Sequence, residues 1–289
     1  MPEVQLKDLK RRKLLLAGSS FLTYSTHTKA SNKNAIRIGL TPVFLHRRSG
    51  FLQRWQRYLE TSLDRPVMFI QRRSYADVLE LLMDEQLTAA WLCGYPYVRY
   101  QKSLTLIAVP RYQGAPLYSA YIITGPTCTG ATKFEDLRSK VFAYSDPLSN
   151  SGFLFAKEQL QSIKEKDIDF FRKYFFTFGH QNVISAVSEG LADAGSVDGY
   201  VWDSLAGVSP ELTQNTHILM RSTKFGFPPF VSHVNRPESE KQLMRKVLLE
   251  MESNHEGQLL LRELNLDGFI KGHPSLYAGI SAMMKRARV

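Results

Sequence analysis

The feature that most constrains this chain is an alternation that runs through it twice: short apolar runs of strand length, each followed by apolar residues at helical spacing. Ala35–Leu40 reads as a buried strand, and Phe51, Leu52, Trp55, Tyr58, Leu59 and Leu63 then share one helical face. Val67–Ile70 is a second strand; Val78, Leu79, Leu82 and Met83 mark a second helix; Ala89–Cys93 is a third strand, closed by Gly94-Tyr95-Pro96. Leu104–Val109 and Tyr118–Thr124 are further strands. After a turn at Gly125–Gly130 the pattern restarts. Strands at Val141–Tyr144, Phe175–Phe178, Ala194–Val197 and His217–Arg221 alternate with helices at Gly152–Ile163, Val183–Leu191 and Gly199–Leu205. Phe230–Val234 is extended, and the remainder to Val289 reads as largely helical. Repeated βα units predict mainly parallel sheets covered by helices on both faces. Two sets of similar size predict an α/β protein of two lobes, residues 31–124 plus 230–289 in one and 125–229 in the other. Tyr118–Thr124 and Phe230–Val234 are the expected crossovers.

Composition excludes several classes. A chain of 289 residues with 44% apolar residues buries a sizeable core, and disorder is excluded. The net charge is +10, but six of the Lys/Arg residues lie within residues 1–30 against two acidic ones. No basic helix with heptads, no Cys/His finger and no Lys/Arg block with interleaved aromatics is present, so nucleic acid is not an expected partner. The two cysteines, Cys93 and Cys128, match no zinc or iron–sulfur spacing, and neither a metal nor a cofactor is expected.

The basic residues at the start have their own meaning. Lys7, Lys10, Arg11, Arg12 and Lys13 precede a brief apolar run, Leu14 to Leu22, and a polar segment ending at Ala30. That layout is an export signal over residues 1–30, of the general secretory or the twin-arginine type, and it predicts a periplasmic protein. The apolar run is shorter than the roughly 20 residues a membrane span requires, and no membrane insertion of the mature chain is expected. A frayed basic tail on a cytosolic protein is the plainer alternative.

Ligands of open α/β sheets bind beyond the carboxyl ends of strands, so the strand-to-helix loops hold the candidates. The most informative is Ser145-Asp146-Pro147-Leu148-Ser149-Asn150-Ser151-Gly152. Ser149, Asn150 and Ser151 are capping residues, and Gly152 lets backbone approach closely. A helix start leaves N–H groups unpaired and carries a partial positive charge, which together form an anion cradle. The same residues also describe an ordinary capped helix.

The stretch Tyr144-Ser145-Asp146-Pro147-Leu148-Ser149-Asn150-Ser151-Gly152 resembles the Asp-Pro-x-Ser-x-Ser-Gly loop of the periplasmic phosphonate/phosphate-binding proteins of ABC transporters. Gly39-Leu40-Thr41-Pro42 and Trp91-Leu92-Cys93-Gly94-Tyr95-Pro96-Tyr97-Val98 resemble two first-lobe loops of that family. Phe178-Gly179-His180, Ala186-Val187, Gly190-Leu191-Ala192-Asp193-Ala194-Gly195 and Val197-Asp198-Gly199-Tyr200 resemble its second-lobe stretches. The likeness spans about residues 36 to 285. It implies a two-lobed periplasmic-binding-protein (type 2) fold with two hinge crossovers, closing on a small oxyanion without chemistry. It also implies roles. Ser149, Asn150 and Ser151 hold the oxyanion, His180 donates to it, and Tyr97 and Thr41 reach it from the first lobe. Asp198 and Tyr200 face what the oxyanion carries.

Taken on their own, His180 is a surface or capping residue, Asp198 a helix cap, and Tyr95 and Tyr97 packing for the cleft wall. Trp91 and Trp202 read as core, and Asp146 as an orderer of its loop. Cys93 is either a small buried hydrophobe or a thiol that meets the ligand. Three functions compete. The first is delivery of phosphate, phosphonate or a phosphite-like anion to an ABC transporter permease. The second is oxyanion or arsenite sensing through a sensor histidine kinase, with Cys93 as trigger. The third is an enzyme with a Cys93/His180 pair, against which stands the lack of an orienting third residue.

Overall fold

The computed structural model describes residues 35–41 and 49–288. The export signal expected over residues 1–30, and Pro42, lie outside them. In chain order the first elements are β1 (Ile36–Leu40), α1 (Ser49–Leu63), β2 (Val67–Gln71), α2 (Tyr75–Met83), β3 (Ala89–Trp91), α3 (Gly94–Arg99), β4 (Leu104–Arg111), β5 (Leu117–Tyr118) and β6 (Ala120–Thr124). Then come β7 (Val141–Tyr144), α4 (Phe155–Ser162), α5 (Asp167–Phe170), β8 (Lys173–Phe176), α6 (His180–Ser188), β9 (Ala194–Asp198), α7 (Gly199–Val208) and β10 (His217–Arg221). The chain ends with β11 (Phe225–Gly226), β12 (Phe230–His233), α8 (Glu238–Leu249), α9 (His255–Leu264), β13 (Gly268–Ile270) and α10 (Ala278–Ala287).

Among the described residues two large sheets form, a six-stranded one ordered β13-β4-β12-β3-β1-β2 and a five-stranded one ordered β10-β6-β9-β7-β8. The parallel pairs β1/β2, β1/β3, β7/β8 and β7/β9 come from the βα units read in the sequence. The sheets are mixed rather than mainly parallel, because the strands that return from the crossovers and from the C-terminal segment add antiparallel. Strand β13, inside the segment read as helical, pairs with β4.

The crossovers also sit elsewhere than expected. Ala120–Thr124 lies within the second sheet, paired to β9 and β10, and Phe230–His233 lies within the first, paired to β3 and β4. The chain passes between sheets just outside those strands, where β5 and β11 pair antiparallel as a two-stranded ribbon. Apolar runs that continue through a crossover look like one strand in sequence, so the two-residue ribbon strands merge there with their neighbours.

One continuous apolar core runs through both sheets. In the first, Trp55 packs edge-on against Trp91 and Phe230, with ring centroids 6.0 and 6.1 Å away. In the second, Phe142 stacks on Phe171 at 4.5 Å. Between them Tyr112, Tyr118, Tyr200 and Phe227 form an aromatic cluster beside the ribbon. Such ring pairs add roughly 0.5–1.5 kcal/mol each beyond area burial. Trp202 is only partly buried, and its indole N–H donates to Thr216 Oγ1 at 2.9 Å.

Candidate functional site

The strand-to-helix loops of the two sheets converge as the topology requires, and their residues touch. Tyr75 opens α2, whose cap Ser74 forms a reciprocal box with Asp77. The Tyr75 amide donates across the gap to Asp146 Oδ2 at 3.0 Å, while Asp146 Oδ1 accepts from Leu148 N at 2.8 Å. Asp146 therefore orders its loop, as the sequence predicts, and also ties it to the first sheet. Burial pushes its pKa up despite those two N–H groups.

The chain after Asp146 turns into a continuous helix, π-helical over Asn150–Leu154 and α-helical from Phe155. Ser149 caps it, accepting from Gly152 N at 2.9 Å. Gly152 is needed here. A Cβ at 152 would stand 2.6 Å from Ser145 Cβ and 2.9 Å from His180 Cε1, so strand end, helix start and imidazole crowd one point. Around that point Ser145 Oγ, Asn150 Oδ1 and Ser151 Oγ are buried without a hydrogen-bond partner, although Ser151 Oγ is turned toward the Tyr118 hydroxyl. Asn150 Nδ2 donates to Tyr118 Oη at 2.9 Å.

The Asn150 amide, at the helix mouth, donates to Cys93 Sγ at 3.3 Å. Cys93 caps α3 from the opposite sheet and is a thiol: burial pushes it up to about 12. Sulfur is a weak acceptor, so this amide is held by the poorest partner in the loop.

His180 opens α6 and is fully enclosed. Its Nδ1 accepts from Asp198 N at 3.1 Å, and its Nε2 lies 3.2 Å from Tyr75 Oη and 3.5 Å from Ser149 Oγ. Since Nδ1 is an acceptor, the single ring proton is on Nε2. Burial drives the pKa down to about 3, so the ring is neutral and Nε2–H is its donor. It faces Tyr75 and Ser149, while the Cys93 thiol accepts from Asn150 N, so Cys93 and His180 do not form the pair the enzyme reading requires. Asp198 caps α7 through Tyr200 N at 2.9 Å, and burial pushes its carboxyl up to about 8.

Thr41, Tyr75, Trp91, Cys93, His180, Asp198, Tyr200, Phe227 and Pro228 enclose a cavity of about 20 Å³ beside the helix mouth. Thr41 donates to Trp91 O at 3.2 Å, and Tyr200 presents its ring while its hydroxyl donates to Leu264 O. Trp91 is both core and wall, its indole N–H held by Pro228 O at 2.9 Å. Tyr95 and Tyr97 do not line this cavity, and neither do Ser149, Asn150 and Ser151. Both tyrosines are buried in α3, Tyr97 against Tyr277 at 4.8 Å and Tyr95 with its hydroxyl accepting from Arg99 at 3.3 Å. Tyr75 was missed. The carboxyl-end rule that selected the other loops applies equally to the β2–α2 loop and points to it.

Over residues 38–277 the chain matches a known family model, that of the ABC transporter phosphonate periplasmic substrate-binding proteins. The chain belongs to this family. Two solved relatives show the same fold at low identity. PhnD1 of Prochlorococcus marinus in complex with methylphosphonate has a TM-score of 0.79 at 17% identity, covering 88% of this chain and 98% of that one. A binding protein component of an ABC phosphonate transporter of Pseudomonas aeruginosa has a TM-score of 0.81 at 16% identity, covering 88% and 87%. The GluR0 ligand-binding core of Nostoc punctiforme, in complex with L-glutamate, shares the fold more distantly, with a TM-score of 0.54 at 16% identity over 80% of this chain and 98% of that one. The fold is therefore the two-lobed type 2 binding-protein fold. The phosphonate-type substrate-binding proteins are the periplasmic binding components of importers, not enzymes. Among the described residues no helix is long and apolar enough to cross a membrane, and no group of three His, Cys, Asp or Glu is placed to hold a metal.

Proposed function

We propose that this protein binds a small phosphorus oxyanion, a phosphonate or its phosphate- or phosphite-like analogue, at the helix mouth Ser149–Gly152 and presents it to an ABC permease. The observation that carries the reading is the buried set of underused polar groups at that mouth: the Ser145 hydroxyl without a partner, the Ser151 hydroxyl with only the Tyr118 hydroxyl beside it, and the Asn150 N–H held only by a thiol. A buried polar group left unpaired costs about 1–3 kcal/mol, and an oxyanion supplies the missing acceptors. Tyr75 Oη and His180 Nε2–H stand beside it as further neutral donors, and Asp198 and the ring of Tyr200 face the ligand's fourth substituent. With 125–229 forming most of one lobe, closure about the β5/β11 ribbon brings Asp146 to Tyr75 and excludes water, which strengthens each contact. Residues 1–30 act as the export signal.

Sensing through a kinase instead of transport turns on Cys93, the thiol at the mouth. A thermal-shift panel of methylphosphonate, phosphite, phosphate, sulfate and arsenite on the purified protein and on Cys93→Ser tests both. Ligand at 100 times Kd stabilises by about 2.7 kcal/mol. A phosphorus oxyanion shift that survives Cys93→Ser supports transport; an arsenite shift lost with the thiol supports sensing; no shift with any phosphorus oxyanion refutes the proposal.

A further inference from the structure

Helix α7 is tied along one face to segments of the other sheet. Tyr200, Asp203 and Ser204 stand three and four positions apart on it and so share that face. The Tyr200 hydroxyl donates to the carbonyl of Leu264, the last residue of α9. Asn265, which ends α9, donates through Nδ2 to Ser204 Oγ at 3.0 Å. The Tyr112 hydroxyl donates to Asp203 Oδ2 at 3.2 Å, beside a bond from Tyr121 at 3.0 Å. Helix α7 follows β9 of the five-stranded sheet, whereas Tyr112 directly follows β4 and α9 leads into β13, both of the six-stranded sheet. Strand β12 runs antiparallel to both β3 and β4, so β4 ends on the same side as β1 and β3, where the ligand loops are. The tie therefore lies on the cleft side of its sheet. A groove of about 240 Å³ separates α7 from α9 there, with Ser204, Val208, Arg262 and Asn265 in its wall. The Tyr112 and Asn265 bonds are part-buried, so water can replace them when the groove opens.

Resting on the oxyanion reading of the cleft, we propose that Asn265 and Tyr112 are positioning residues whose bonds to α7 form a clasp that holds the two lobes shut over the ligand. Neither residue lines the cavity. They act through α7, whose start carries the wall residue Tyr200 and whose cap is the wall residue Asp198. Fixing α7 to the segments of the six-stranded sheet fixes that wall against the facing one. The bonds are polar and border a groove, so they are made on closing and given back to water on opening. A bond present only in the shut arrangement raises its population, and the apparent dissociation constant falls in proportion. The clasp thus sets how long the ligand stays, while the helix mouth sets which ligand is held.

Asn265→Gly isolates the clasp. Residue 265 ends α9 at φ 55°, a conformation glycine adopts freely, so the helix keeps its end and loses only the side-chain bond. Tyr112→Phe removes the hydroxyl and keeps the ring against Tyr200 and Phe227. Calorimetric titration with methylphosphonate gives Kd, and stopped-flow mixing gives the rates. Each single change should raise Kd about three- to tenfold, through faster release. Ser204→Ala should match Asn265→Gly, and the two together should bind no more weakly than the worse of them, because both remove one bond. A merely structural role would lower the melting temperature and leave release unchanged. Folded variants that release methylphosphonate at the wild-type rate, or a Ser204→Ala/Asn265→Gly pair whose losses add, overturn the inference and leave the oxyanion site standing. Wild type that binds none of methylphosphonate, phosphite and phosphate overturns the oxyanion reading instead. The clasp is then read by small-angle scattering without ligand, where Tyr112→Phe/Asn265→Gly should have a larger radius than wild type and an equal radius overturns it.

Discussion

Replacing Gly152 by Ala tests how tightly the helix mouth is built. The added Cβ would meet Ser145 Cβ at 2.6 Å and His180 Cε1 at 2.9 Å, and it would lie deeper still inside the radius of Ser145 Oγ. Carbon atoms rest at about 3.5–4.0 Å, so roughly 1 Å of movement is required. The glycine cannot supply it, because its N–H is bound to Ser149 Oγ at 2.9 Å and its carbonyl to Ser145 N at 3.1 Å. The load falls on the imidazole and on the end of β7. Overpacking of this kind costs about 1–3 kcal/mol, and loosening the His180 hydrogen bonds adds about 1 kcal/mol. A chain of this size loses about 2–4 °C per kcal/mol, so Gly152→Ala should melt about 5–15 °C lower and bind phosphonate at least tenfold more weakly. Scanning calorimetry and calorimetric titration measure both. Ser145→Gly removes the two nearest atoms, so the double variant should recover at least half of the lost melting temperature, after about 0.5–1 kcal/mol for the new glycine. A Gly152→Ala protein that melts and binds like its parent, or a double variant no better than the single one, refutes the packing described here.

Other consequences are independent of that one. Asp146→Ala removes the acceptor of both Tyr75 N and Leu148 N, so it should cost about 1–3 kcal/mol in denaturant unfolding and expand the ligand-free protein in small-angle scattering; an unchanged radius would show that the contact does not hold the lobes together. His180 has a folded pKa of about 3 against an ordinary 6.5, so its contribution to stability is present above about pH 6.5 and is lost as pH falls toward 3. The stability of wild type relative to His180→Asn should therefore fall by about 1.4 kcal/mol per pH unit between about pH 6 and pH 4, and a flat difference would contradict a neutral buried ring. Tyr75→Phe removes the hydroxyl that faces Nε2 and should weaken phosphonate binding about tenfold with little loss of melting temperature.

Much of this was legible before the structure because strand and helix periods differ and because the loop 145–152 concentrates capping residues in one place. His180 and Asp198 were found through the order of motifs, and both come together at the cavity. What stayed hidden was direction. Cys93, Tyr95 and Tyr97 follow one strand within five residues, yet of the three only the thiol lines the cavity: Tyr95 and Tyr97 are the second and fourth residues of α3, Tyr97 packed against Tyr277 and Tyr95 paired with Arg99. A helix of six residues is too short for sequence periodicity to give its phase. Asp146 was read as local because its partner Tyr75 is 71 residues away, on the other sheet. The short ribbon strands β5 and β11, two residues each, carry no periodic signal of their own. Ionisation states were hidden for the same reason as direction: the neutral His180 follows from a backbone N–H that only the fold brings to Nδ1.

The most direct measurement is a crystal structure of the protein grown with methylphosphonate. Phosphonate oxygens should lie about 2.7–3.1 Å from the amides at the start of the Asn150 helix and from the Ser151 hydroxyl, with the Cys93 sulfur moved off Asn150 N. A ligand lodged anywhere else, with sulfur and amide still joined, would contradict the account.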